Sequence, residues 1–143
     1  MIVLRQVAKS FEDGERQKQL FEGLSLKIAR GSFVCIRGRS GAGKSTLLKI
    51  LAGLIVSDRG DVFFEGKAFS TFTANERSDF CRDKIGFIFQ EAPLISRKTV
   101  FDNIALPLKY QQIAPQEIAQ RVEQWLTKLA ISPLHLMMKM NVR

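Results

Sequence analysis

Hydrophobic positions fall in short runs broken by turn residues through the first two thirds of the chain and recur at helical spacing from Thr99 onward. The pattern predicts strands interleaved with helices, followed by helices alone. Ile2 to Val7 predicts a strand, Asp13-Gly14 a tight turn, and Leu20 to Ile28 a second strand, together an antiparallel hairpin. Phe33-Val34-Cys35-Ile36, continuing to Arg37, predicts a buried strand with Cys35 in the core. Lys44 to Leu54 predicts a helix, ended by the breaker-rich Ser57-Asp58-Arg59-Gly60. A short strand and turn follow over Asp61–Lys67, then a helix over Asn75–Asp83 and a buried strand over Ile85–Phe89. Past Thr99, Val100, Ile104 and Leu108 share a helical face that Pro107 ends or kinks. Pro115 opens a further amphipathic helix with Ile118, Val122, Trp125, Leu126 and Leu129 on one face. Leu134 to Arg143 has no clear pattern, and no internal repeat is present.

Between the predicted strand at Phe33 and the helix at Lys44 lies Gly38-Arg39-Ser40-Gly41-Ala42-Gly43-Lys44-Ser45-Thr46. It fits G-x-x-x-x-G-K-[ST], in the strand–loop–helix setting that a phosphate-binding loop requires. The chemistry accounts for the spacing. Gly38, Gly41 and Gly43 open backbone conformations closed to residues with a Cβ, so that successive N–H groups converge as an anion nest. The helix beginning near Lys44 adds its free N–H groups and its dipole, a contribution of about 0.3–2 kcal/mol. Lys44 adds a full charge. At about 4 Å and an effective dielectric near 20, a charge pair is worth about 4 kcal/mol before desolvation, so Lys44 outweighs the dipole and binds the β- and γ-phosphates. The Ser45 hydroxyl suits Mg²⁺, which takes few protein ligands. Ser40 lies within the nest and Thr46 near the α-phosphate, whereas Arg39 is either a solvated loop residue or a second phosphate contact.

Composition adds limits. The chain has 143 residues, 45% hydrophobic and 25% charged, enough for one folded domain with a real core. Its net charge of +8 raises the possibility of a nucleic-acid or anionic-membrane partner. The basic residues are scattered, however, without runs or interleaved aromatics, so they read as a solvated surface and no nucleic acid is implied. Cys35 and Cys81 lack metal spacing and fit reduced, cytosolic thiols. No secretory signal and no membrane-spanning apolar run is present.

Taken in order, these features resemble the nucleotide-binding domain of ABC transporters, and most closely the subgroup that powers lipoprotein-release, macrolide-export and cell-division-type permeases. The likeness runs from Val3 to about Ile131. It is carried by Leu24-Ser25-Leu26-Lys27-Ile28-Ala29-Arg30-Gly31, the phosphate loop, Leu51-Ala52-Gly53-Leu54, Ile85-Gly86-Phe87-Ile88-Phe89-Gln90, and Thr99 through Leu108. The resemblance implies an α/β P-loop NTPase core with an N-terminal antiparallel β subdomain and the start of a helical subdomain. It implies ATP and Mg²⁺ as cofactors, a membrane permease and a second nucleotide-binding subunit as partners, and a cytoplasmic place on the inner face of the cell membrane. By position, Gln90 matches the glutamine that reaches Mg²⁺ and the attacking water, giving it catalytic and metal roles beside Lys44 and Ser45. Phe11 matches the aromatic that stacks on adenine, a role that needs only a π-face; its alternative is a hairpin core residue. Pro93 to Lys98 match the groove that receives the permease's coupling helix.

The departure falls after Ile131. No L-S-G-G-Q signature follows, nor any run of four apolar residues ending in Asp-Glu. Asp102 and His135 fill neither role and read as solvated. Residues 1–131 are accordingly expected to be a partial nucleotide-binding domain and 132–143 a divergent tail, with the C-terminal part missing through a truncation or frameshift near Ser132. Without the partner's signature and the carboxylate, hydrolysis is expected to be negligible, since charge stabilisation in trans is worth about 10³–10⁵ in rate in other NTPases. A non-catalytic, binding-only remnant is the alternative, and a small-molecule kinase a third reading that the Gln90 segment argues against.

Overall fold

A computed structural model describes residues 1–14, 16–91 and 93–131; the patternless C-terminal stretch with His135 lies outside them. The chain divides into two compact units, Met1–Ile85 and Gly86–Arg143.

In the first unit, β1 (Ile2–Asp13) and β2 (Arg16–Ile28) form the expected antiparallel hairpin, both strands longer than predicted. Helix α1 (Lys44–Leu51) follows, then β3 (Arg59–Phe64) and the short β4 (Lys67–Ala68). The strands make one antiparallel sheet in the order β2-β1-β3-β4. Leu4 and Val7 of β1 are both buried although three residues apart, which a plain two-residue alternation forbids. A bulge resolves this. Gln6 turns left-handed (φ 48°) and donates its N–H to Ser25 Oγ at 3.0 Å, returning Val7 to the core face. Gly60 of β3 (φ +70°) nests against that bulge, where a Cβ would stand 2.2 Å from the Gln6 carbonyl oxygen.

Leu4, Val7 and Val62 of the sheet meet Ile50 and Leu51 of α1, with Phe69 closing the cluster. Each such side chain contributes about 1.5–3 kcal/mol by leaving water. Helix α1 stops at Leu51 rather than Leu54 because Gly53 takes φ +74°. There the Leu54 N–H reaches the Lys49 carbonyl at 2.8 Å and the Gly53 N–H the Ile50 carbonyl at 3.0 Å, a Schellman closure. Helix α2 (Ala74–Lys84) buries no residue in the core and is begun by a capping box: Thr73 accepts from the Glu76 N–H, and Glu76 accepts from the Thr73 N–H.

In the second unit, α3 (Val100–Tyr110) and α4 (Pro115–Lys128) pack through Ala105, Ile118, Val122 and Leu126. Pro107 does not end α3, which continues to Tyr110. The predicted face of α4 is narrower than expected: Trp125 is 58% and Leu129 63% exposed. The buried stripe is Ile118, Val122 and Leu126, and Trp125 flanks it under the Lys128 ammonium, 4.9 Å from the ring centroid.

Two predicted strands are absent. Phe33–Ile36 and Ile85–Phe89 have no strand pairing, and Phe33 and Ile88 are 96% and 97% exposed. Cys35, expected in the core, is exposed. An apolar run becomes a strand only where a neighbour takes its N–H and C=O groups, and neither segment joins the sheet. Asp102 is likewise not merely solvated. It accepts from Thr99 Oγ1 at 2.9 Å and from Lys109 at 2.8 Å, and both hydrogen bonds hold its carboxyl below the ordinary range.

Candidate functional site: the loop before the first helix

The loop from Gly38 runs into α1 at Lys44 as predicted. Gly41 (φ +74°) and Gly43 (φ +84°) are left-handed, while Gly38 is not among the left-handed glycines. A Cβ at Gly38 would meet Ala42 Cβ at 3.5 Å, an ordinary contact, so conformational freedom at 38 is not what shapes the loop. Gly43 is needed twice over, because a Cβ there would also press on the Phe21 ring at 3.1 Å and Leu20 at 3.2 Å. Strand β2 thus lies directly along the loop.

Gly43 caps α1 with no side-chain hydrogen bond, which leaves the first-turn amides without a side-chain acceptor at the cap. Lys44 is half-buried, and its ammonium donates to the carbonyls of Gly38 at 2.9 Å and Arg39 at 2.7 Å. The Ala42 N–H reaches the Arg39 carbonyl at 3.2 Å, tightening the turn. Ser40 and Ser45 are exposed and Thr46 half-buried. Left-handed glycines, uncapped amides and a lysine gathered within nine residues make a donor set suited to a polyphosphate.

The hairpin supplies the neighbouring wall. Phe11 is 42% exposed and pairs across the strands with Lys18. Lys18 Nζ lies 3.8 Å from the position a Cβ would take on Gly41. On the other side, Lys9 Nζ stands 5.3 Å from the Phe11 ring centroid and pairs with Asp58. Asp58 also accepts from the Ser10 N–H at 2.7 Å. The Lys9 ammonium, then the Ser10 amide, pull its carboxyl down to about 2. Sequence reasoning read Asp58 only as a helix breaker, yet it fastens the α1–β3 connection to β1.

Gln90 is exposed and falls in the second unit, described by itself. In the same unit Asn103, which sequence reasoning passed over, ties residues 95–99 to α3. Its Oδ1 accepts from the Ile95 N–H at 2.8 Å, and its Nδ2 donates to the Ile95 carbonyl at 3.1 Å and the Thr99 carbonyl at 2.9 Å. That staple shapes the Pro93–Lys98 segment and leaves Leu94 and Ile95 exposed. Cys81, in the first unit, is a free thiol that donates to the Ala52 carbonyl, and burial raises its pKa. Among the described residues no group of three His, Cys, Asp or Glu is placed to hold a metal, and no helix is long and apolar enough to cross a membrane.

The glycine loop and the helix it opens define a P-loop protein of the α/β class, although the strand expected ahead of the loop, Phe33–Ile36, is unpaired. The ABC transporter family profile matches residues 21–141, and the chain belongs to that family. It is 37% identical over 131 residues to the macrolide export ATP-binding/permease protein MacB of Aggregatibacter actinomycetemcomitans, covering 92% of this chain and 20% of that protein. It is 34% identical over 135 residues to the ABC transporter ATP-binding protein YtrE of Bacillus subtilis strain 168, covering 92% of this chain and 58% of that one. A dimeric, post-hydrolysis structure of the ATP-binding cassette MJ0796 with ADP and Pi superposes with a TM-score of 0.88 at 31% identity, covering 99% of this chain and 62% of that chain. The chain spans less than two thirds of the length of each of these relatives.

Proposed function

We propose that this chain is an ATP-binding subunit of an ABC transporter, holding Mg-ATP in the 38–46 loop and working with a membrane permease. The observation that carries the reading is the pairing of left-handed Gly41 and Gly43 with the uncapped start of α1. In this reading the amides from Gly41 to Thr46 receive the phosphates, with Gly38 and Ser40 forming the near rim. The Lys44 ammonium donates two of its three protons to loop carbonyls, and in this reading the third meets the β- and γ-phosphates. Ser45 offers its exposed hydroxyl to Mg²⁺, and for Gln90 a role with the metal and the attacking water is carried by the family resemblance alone. When bound, the cation neutralises phosphate charge. Phe11 offers its half-exposed ring to adenine.

The dimeric MJ0796 cassette supports a second nucleotide-binding subunit as a partner. The fused ATP-binding/permease name of MacB supports a permease partner, and the Pro93–Lys98 segment with its exposed Leu94 and Ile95 is the proposed place for it. Such a subunit works at the cytoplasmic face of the membrane as a peripheral protein. A fluorescent ATP analogue titrated in Mg²⁺ tests the reading: saturable binding displaced by unlabelled ATP is expected, and absence of saturable binding contradicts it.

A further inference from the structure

We propose that Lys18 supplies a second positive charge to the polyphosphate held by the 38–46 loop, an inference that rests on the nucleotide-binding reading above. Its ammonium lies 3.8 Å from where a Cβ would stand on Gly41, within the loop's left-handed turn. It sits across the β1–β2 pair from Phe11, so one rung of the hairpin offers both an aromatic face and a cation beside the loop. The side chain is exposed. Among the described residues no carboxylate pairs with it, whereas Lys9 is matched by Asp58 and Lys109 by Asp102.

An ammonium set beside convergent amides and a helix N-terminus meets partial charges of its own sign. An anion bound between them turns that juxtaposition into attraction. The chemistry selects a phosphate chain, since an adenine or ribose offers no charge for Lys18 to meet. Because the side chain is exposed, the attraction is screened by salt.

The test is calorimetric titration of MgATP and MgADP into the full chain and its Lys18→Gln, Lys18→Arg and Lys44→Ala variants. Lys18→Gln is expected to weaken both nucleotides by roughly 10- to 150-fold, as for loss of one hydrogen bond to a charged group. Lys18→Arg is expected to retain most of the affinity, and the loss in Lys18→Gln to shrink between about 50 and about 500 mM salt. Unchanged affinity in Lys18→Gln, with Lys44→Ala weakened, overturns the role of Lys18 and leaves the phosphate loop standing. A loss that Arg does not rescue, or that salt does not reduce, also overturns it. If the unaltered chain binds neither nucleotide, the loop assignment and the Lys18 inference fail together.

Discussion

The Lys44 ammonium donates to the Gly38 carbonyl at 2.9 Å, six residues back, so the loop is closed by the side chain proposed to meet the phosphates. One residue thus shapes the nest and supplies its charge. Lys44→Ala removes both and is expected to weaken ATP by about 2–4 kcal/mol, or roughly 30- to 1,000-fold. Equilibrium titration of both proteins checks this; equal affinities would remove Lys44 from the site.

Gly60 and Gly14 are both left-handed, at φ +70° and φ +63°. A Cβ at Gly14 meets nothing within 4 Å, whereas at Gly60 it falls 2.2 Å from the Gln6 oxygen. Gly14→Ala should therefore cost only the conformational penalty of about 1–2 kcal/mol. Gly60→Ala should add about 1–3 kcal/mol for forcing the bulge apart. Urea unfolding of the two variants separates the cases, and equal losses would mean that β3 does not nest on the bulge.

Much of the first unit was legible in the residues. The hairpin follows from two apolar runs about Asp13-Gly14, and the loop from glycines at fixed offsets before Lys44. What could not be read depends on neighbours distant in sequence. Phe33–Ile36 and Ile85–Phe89 have strand-like composition, but pairing is a property of two segments, not one. The bulge at Gln6 shifts the register between Leu4 and Val7, so the pairing of Val7 with Leu24 was hidden from any count of residues along the hairpin, whereas Phe11 opposite Lys18 follows from counting back from Asp13 opposite Arg16. Asn103 looks like an ordinary polar residue on a helix until Ile95 is brought to it.

Asp58 predicts a pH dependence. Its folded pKa, about 2, lies below the ordinary value of 3.8. Its contribution to stability is therefore complete above the ordinary value and lost as pH falls from there towards about 2. The side chain is 39% exposed, so solvent screening keeps the effect modest. Urea midpoints of Asp58→Asn should lie below those of the unaltered chain near neutrality, and the two should converge as pH drops through that window. A constant gap down to the lowest pH would contradict the assignment.

Asn103→Ala removes four hydrogen bonds that hold the 95–99 backbone, the longest at 3.5 Å to the Lys98 carbonyl. Net losses of about 0.5–1.5 kcal/mol per bond predict a measurable fall in stability of the second unit. Amide exchange at Ile95 should accelerate, because its N–H loses its acceptor. Unaltered exchange there would show that Asn103 does not hold the segment.

The amide resonances of the 38–46 loop give the most direct measurement. With Mg-ATP added to the ¹⁵N-labelled chain, the largest shifts are expected at Gly41, Gly43, Lys44 and Ser45, saturating with the nucleotide. Saturable shifts confined to other parts of the chain, or no shifts at all, would contradict the claim that these amides receive the phosphates.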